Sequence, residues 1–130
     1  MHKIKATIGR DHYMTVLEAG AKRILADEPE NVGGTDQGFS PDELLGSALA
    51  ACTVITLRMY ADRKQLRLDQ IEVEVSVEWD KQARRTSLKK SIRFTGDLQP
   101  AEDQRLREIA DKCPTHVSLT NPIDIETTII

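Results

Sequence analysis

Ser40-Pro41-Asp42-Glu43-Leu44-Leu45-Gly46-Ser47-Ala48-Leu49-Ala50-Ala51-Cys52 joins a helix start to an apolar run that carries a thiol. Ser40 is suited to cap, Pro41 to take the first helical position, and Glu43 to close a capping box three residues after the serine. The spacing predicts a helix from there to about Arg63, about 36 Å long at 1.5 Å per residue. Leu45, Ala48, Leu49, Cys52, Ile55, Thr56 and Met59 form one stripe at helical spacing, while Leu44, Ala51, Val54 and Leu57 make the other side apolar as well. A helix apolar nearly all round must be covered on several sides. The expectation is therefore a central core helix, packed by sheet and by other helices or a second subunit.

Upstream, Ile4, Ala6 and Ile8, then Met14 and Val16, then Arg23-Ile24-Leu25 alternate loosely and read as two or three antiparallel strands. Asp27 to Phe39 is dense in turn-forming residues and reads as a loop. Downstream, Ile71, Val73, Val75, Val77 and Trp79 alternate with Glu72, Glu74, Ser76, Glu78 and Asp80, giving a strand with one core face. After a polar turn around Lys81 to Arg85, Leu88, Lys90, Ile92 and Phe94 alternate with Lys89, Ser91 and Arg93, so the pair reads as a hairpin with basic groups opposite acidic ones. Pro100 opens a second helix in which Leu106, Ile109, Ala110 and Cys113 share the buried face, and Pro114 ends or turns it. Ile123, Ile125, Thr127 and Ile129 follow as a closing strand. Strands, helix, hairpin, helix and strand make an α+β domain spanning 1-130.

The 130 residues, 39 % hydrophobic and 30 % charged, suffice for one folded core and argue against a disordered chain. A formal net charge of -3 gives no pull toward nucleic acid or an anionic membrane. The longest apolar run, Ala48 to Leu57, is shorter than the roughly 20 residues of a membrane span, and the first residues lack a signal peptide's apolar core. These features lead us to expect a cytoplasmic protein, with Cys52 and Cys113 held reduced rather than as a permanent staple.

Both cysteines fall on inward stripes of the two main helices, 61 positions apart. Small neighbours around Cys52 let a substrate or another backbone approach its sulfur. If Pro114 begins a fresh helical turn, Cys113 occupies its cap, where free N–H groups favour thiolate over thiol. Against this stands the ordinary behaviour of a free cysteine as a small buried hydrophobe. A zinc site from Cys113, His116, Cys52 and His12 lacks the paired spacings of zinc ligands, so no metal is expected, and His116 reads as a partly exposed helix residue.

Phe39 to Cys52, followed 61 positions later by Cys113-Pro114-Thr115-His116, resembles the osmotically inducible protein C and organic hydroperoxide resistance family over nearly the whole chain. The resemblance implies antiparallel sheets wrapped around paired central helices in an intertwined homodimer, and an oxidoreductase that reduces hydroperoxides with two thiols and no cofactor. Carried over by position, Cys52 is the peroxide-attacking cysteine and Cys113 the resolving one. The family's supporting glutamate falls at Asp42, after Ser-Pro rather than Asn-Pro, with Glu43 beside it. Its supporting arginine corresponds to Arg10, with Arg23 as the fallback. The implied partners are a hydroperoxide and an external dithiol reductant, of which a lipoylated protein is one candidate. The alternative is a dimer of the same fold with a small-molecule pocket and a redox-sensing or non-catalytic role.

Asp42 and Cys52 are ten residues apart, about 15 Å along a straight helix, too far for a hydrogen bond. An acid from this segment can serve the thiol only if the helix breaks near Gly46-Ser47 or if the acid comes from another subunit.

Overall fold

In the computed structural model, which describes residues 1–130, the chain divides into two compact units, Met1–Leu45 and Gly46–Ile130. The first holds a three-stranded antiparallel sheet of β1 (Lys5–Ile8), β2 (Thr15–Ala19) and β3 (Lys22–Ala26) in that order. Ala19 pairs with Lys22 across a two-residue turn that Gly20 enters at a φ of 62°, a left-handed conformation open to glycine at no steric cost.

The loop after β3 is organised by one carboxylate. Asp27 Oδ1 accepts the N–H groups of Glu28 at 2.8 Å and Tyr13 at 3.1 Å, while Oδ2 accepts the Thr35 hydroxyl at 2.6 Å and the Gln37 N–H at 3.2 Å. The chain then returns to β3, where Ala26 bridges Phe39 and the Asp27 N–H meets the Phe39 carbonyl at 3.1 Å. Asp27 is 3 % exposed, and four donors satisfy it in the charged form. The Thr35 hydroxyl is the largest influence and holds the carboxyl far below the usual range; burial opposes it, and the three backbone N–H groups add to it.

Helix α1 (Pro41–Arg63) begins as the residues require: the Glu43 N–H reaches Ser40 Oγ at 3.2 Å and the Ser40 N–H reaches Glu43 Oε1 at 2.9 Å. It continues without a break through Gly46-Ser47, so of the two routes by which an acid from this segment could serve the thiol, a helix break is absent. Gly46 is a point of close packing instead, since a Cβ there would lie 3.1 Å from Val77 Cγ2. The buried line along α1 is Gly46, Leu49, Thr53, Leu57 and Ala61. Within the chain α1 is covered on one side, and Ala48, Ala51, Ile55 and Met59 are exposed, so the cover expected on its other sides is not supplied by this chain. Apolar character on every side of a helix marks what can be buried, not which neighbours the same chain supplies. By length and composition α1 could also cross a membrane, a test that the core helix of a soluble fold passes equally.

In the second unit β4 (Leu68–Asp80) and β5 (Arg85–Gly96) form a long antiparallel hairpin. Ile71, Val73, Val75 and Val77 alternate with exposed polar residues, as their sequence demands. Trp79 departs from the pattern and is exposed. Charge complementarity across the ladder is partial: Glu72 faces Arg93 with an ion pair at 3.7 Å and Asp80 faces Arg85, whereas Glu74 and Glu78 face serines. Next come α2 (Pro100–Ile109), a 3-10 turn at Ala110–Lys112 and α3 (Pro114–Thr120). Leu57, Ala61, Leu68, Leu106 and Ala110 form the core, flanked by Tyr60, Leu66, Ile71, Ile92, Phe94, Leu98 and Ile109. The closing strand is not formed: residues 122–130 pair with no strand, and Ile123, Ile125 and Ile129 are exposed. Alternation chooses faces, but a strand also needs a partner edge, and the tail pairs with none of the open edges of the two sheets.

Two outcomes follow from the packing. Leu106 is fully buried, so Leu106→Ala is expected to cost about 2–5 kcal/mol of unfolding free energy, read by denaturant titration. The low Asp27 pKa contributes stability that is complete above the ordinary carboxylate value near 3.8 and fades as pH falls below it. The melting-temperature gap between wild type and Asp27→Asn should therefore be widest above pH 5 and should narrow below pH 4; a gap constant with pH contradicts the charged hub.

Candidate functional site

Cys52 lies on α1 beside the buried line, and its residue is partly exposed; Cys113 is fully buried, and both thiols are free. They meet at the start of α3. Pro114 takes the first helical position and has no N–H to satisfy. The next two N–H groups each find a sulfur: Thr115 donates to Cys52 Sγ at 3.4 Å and His116 to Cys113 Sγ at 3.3 Å. Cys113 is the N-cap, with extended backbone at φ -66°, ψ 144°, so the conditional reading of Cys-Pro as a fresh helix start holds.

Burial pushes the Cys52 thiol up, but hydrogen bonds outweigh it and the net shift is below the ordinary thiol value. The Thr115 side chain and N–H contribute most, followed by the side chains of Cys113 and Thr56. The two sulfurs are thus seated on successive N–H groups of the same helix start. One thiol is approachable and stabilised as thiolate; the other is sealed beside it. A group of His, Cys, Asp and Glu able to hold a metal ion is absent.

The remaining expected residues belong to the first unit. Arg10 lies exposed in the bend after β1, and Asp42 lies exposed in the first turn of α1; neither side chain makes a hydrogen bond or ion pair. Arg23 is engaged with Glu18 at 2.8 Å. Glu43 accepts the Ser40 N–H in the capping box, which also lowers its pKa. With α1 unbroken, Asp42 stays ten residues from Cys52 on one continuous helix.

Three residues near the sulfurs have roles that spacing did not reveal. Thr115 supplies donors to Cys52, and the hydroxyl of the fully buried Thr53 lies 3.6 Å from Cys113 Sγ. Lys90 reaches Thr53 Oγ1 at 3.5 Å and the Ala110 carbonyl at 2.8 Å. The signal for Lys90 was present, since it is a charged residue at an inward position of β5. His116 is a half-buried residue of α3, as expected, with Nδ1 3.8 Å from Asp111.

No curated protein matches the chain. Among solved structures, a Psychrobacter arcticus 273-4 protein provisionally described as an osmotic stress induced and detoxification response protein is 25% identical, covers 91% of this chain and 88% of that one, and superposes with a TM-score of 0.77. An OsmC-like protein from Mycoplasma pneumoniae is 20% identical over 92% of this chain and 86% of that one, with a TM-score of 0.76. The organic hydroperoxide resistance protein OhrB of Bacillus subtilis is 23% identical over 95% and 93%, with a TM-score of 0.62. The family model for OsmC-like proteins matches residues 34–128, which takes in α1, the hairpin and both sulfurs. With the helix-borne cysteine pair and the α+β architecture already established, that match assigns the chain to the OsmC-like protein family.

Proposed function

We propose that the protein is a thiol-dependent peroxidase that reduces organic hydroperoxides through Cys52 and Cys113. The observation that carries this reading is the pair of sulfurs seated on the successive N–H groups of Thr115 and His116, with an approachable, thiolate-favouring Cys52 beside a sealed Cys113. The Cys52 thiolate attacks one peroxide oxygen, the O–O bond breaks, and an alcohol leaves after protonation, with Cys52 oxidised to a sulfenic acid. Cys113 then attacks the Cys52 sulfur, the S–O bond breaks, and water leaves as the intramolecular disulfide forms. An external dithiol reduces that disulfide by exchange and is itself oxidised. Two solved structures of similar fold, from Legionella pneumophila and Bacillus subtilis, are organic hydroperoxide resistance proteins by name, which supports this chemistry.

We also place the working form as a homodimer in the cytoplasm. The exposed apolar stripe of α1 at Ala48, Ala51, Ile55 and Met59, together with the unpaired Ile123, Ile125 and Ile129, is more apolar surface than an isolated soluble chain ordinarily leaves uncovered. A second copy supplies both a cover for the stripe and a sheet edge for the tail. It is also the remaining route by which Asp42 could support Cys52, because α1 does not bend to bring it back.

Brief exposure to an alkyl hydroperoxide should consume both thiols and yield a Cys52-Cys113 linkage by peptide mass spectrometry, with Cys52→Ser abolishing peroxide loss. Intact thiols after a stoichiometric titration would refute the peroxidase. Light scattering at micromolar concentration should give twice the mass of the chain, and a monomer would overturn the dimer.

A further inference from the structure

Lys90 stands where the strand pattern calls for an apolar side chain. Its neighbours on the inward face of β5 are Leu88, Ile92 and Phe94, and its own side chain is 9% exposed. A lysine this buried must have each ammonium proton accounted for. Three acceptors surround Nζ: the Ala110 carbonyl at 2.8 Å, Asp111 Oδ1 at 3.5 Å and Thr53 Oγ1 at 3.5 Å. Asp111 is largely exposed, so its charge is screened by water, and the inward neighbour of the ammonium is the Thr53 hydroxyl. Packing alone does not account for the charge, because replacing a buried ion by an apolar group of similar size is often neutral or stabilising.

Beyond Thr53 lies Cys113. Thr53 Oγ1 is 3.6 Å from Cys113 Sγ and 2.8 Å from the Leu49 carbonyl, and it has one proton for the two. While Cys113 is a thiol, the hydroxyl proton satisfies Leu49 and the sulfur can donate to Oγ1. When negative charge develops on the sulfur, the hydroxyl can turn its proton toward it while the ammonium continues to donate to the oxygen. We propose that Lys90, acting through the Thr53 hydroxyl, is a positioning residue that stabilises the charge on Cys113 Sγ whenever the Cys52-Cys113 bond is made or broken.

Burial fixes where this matters. Cys113 is fully buried whereas Cys52 is partly exposed, so an external thiolate attacks Cys52 Sγ. The new sulfur–sulfur bond forms there, the Cys52-Cys113 bond breaks, and its electron pair leaves on Cys113 Sγ. A second thiol of the reductant then displaces Cys52, and the reductant departs as its own disulfide. The leaving sulfur is the one held by His116 N–H, Thr53 and, behind it, Lys90. The proposal rests on the two-thiol reading above, but its test does not need peroxide.

The disulfide is formed in the full-length protein with diamide, and its opening by dithiothreitol is timed at one fixed pH. Lys90→Met should open more slowly by about tenfold, the low end of what one nearby opposite charge does for a thiolate. Lys90→Arg should recover most of the rate, which a loss of packing alone would not predict. Thr53→Val, which removes the intervening hydroxyl, should slow the same step and serves if Lys90→Met does not fold. Opening at the wild-type rate in Lys90→Met or Thr53→Val, or a Lys90→Arg variant as slow as Lys90→Met, overturns the assignment. A wild-type protein that forms the disulfide with diamide yet destroys no peroxide removes the peroxidase and leaves the role of Lys90 standing; failure to form the disulfide removes both.

Discussion

A helix start leaves N–H groups without partners inside its own turn, and in this chain two sulfurs take them. Pro114 brings no donor, so the first free groups of α3 are those of Thr115 and His116, one directed to Cys52 and the other to Cys113. The thiol pair is therefore held by backbone donors, whose positions are set once α3 forms, rather than by flexible side chains. The 3-10 turn between α2 and α3 completes the arrangement, because it lets Cys113 leave the buried face of one helix with extended backbone and cap the next. The family match, the α+β architecture and the adjacent cysteines all converge on this junction.

Much of that frame was legible in the residues. Ser40 and Glu43 announce the start of α1 because a capping box needs only local chemistry, and the structure repeats it bond for bond. The buried face of α2, with Leu106, Ala110 and Cys113, could be read from helical spacing because its other side is charged. For α1 the same reading fails: with apolar residues on all sides the period carries no direction, and the buried line passes through Gly46 and Thr53, the two positions least like core residues. The tail failed for a different reason. Strand propensity in Ile123 to Ile129 is real, but pairing depends on an edge elsewhere, which no local pattern encodes.

The site was legible to a similar depth. Two sulfurs on inward stripes could be anticipated, and so could the capping role of Cys113. What surrounds them could not, because Thr53, Thr115 and Lys90 act through contacts between segments distant in sequence. Lys90 illustrates the general point: a charged side chain on the core face of an otherwise alternating strand breaks the local rule, and such breaks concentrate where a fold does chemistry. Arg10 and Asp42, chosen by position, are exposed, and Asp42 is held ten residues from Cys52 by the unbroken α1.

Neighbouring positions 52 and 53 both meet the start of α3, Cys52 as the approachable thiol and Thr53 from the interior beside Cys113. Each residue turns a helix by about 100°, so adding or removing a single residue between Gly46 and Thr53 would swing the sulfur away from α3 and present a different side chain in its place. Divergent descendants of this chain can lengthen the exposed hairpin turn between β4 and β5 with little effect on the sulfurs, yet the count of residues along this stretch of α1 is fixed by geometry. Indel tolerance, rather than residue identity, is thus where the thiol pair leaves its firmest imprint.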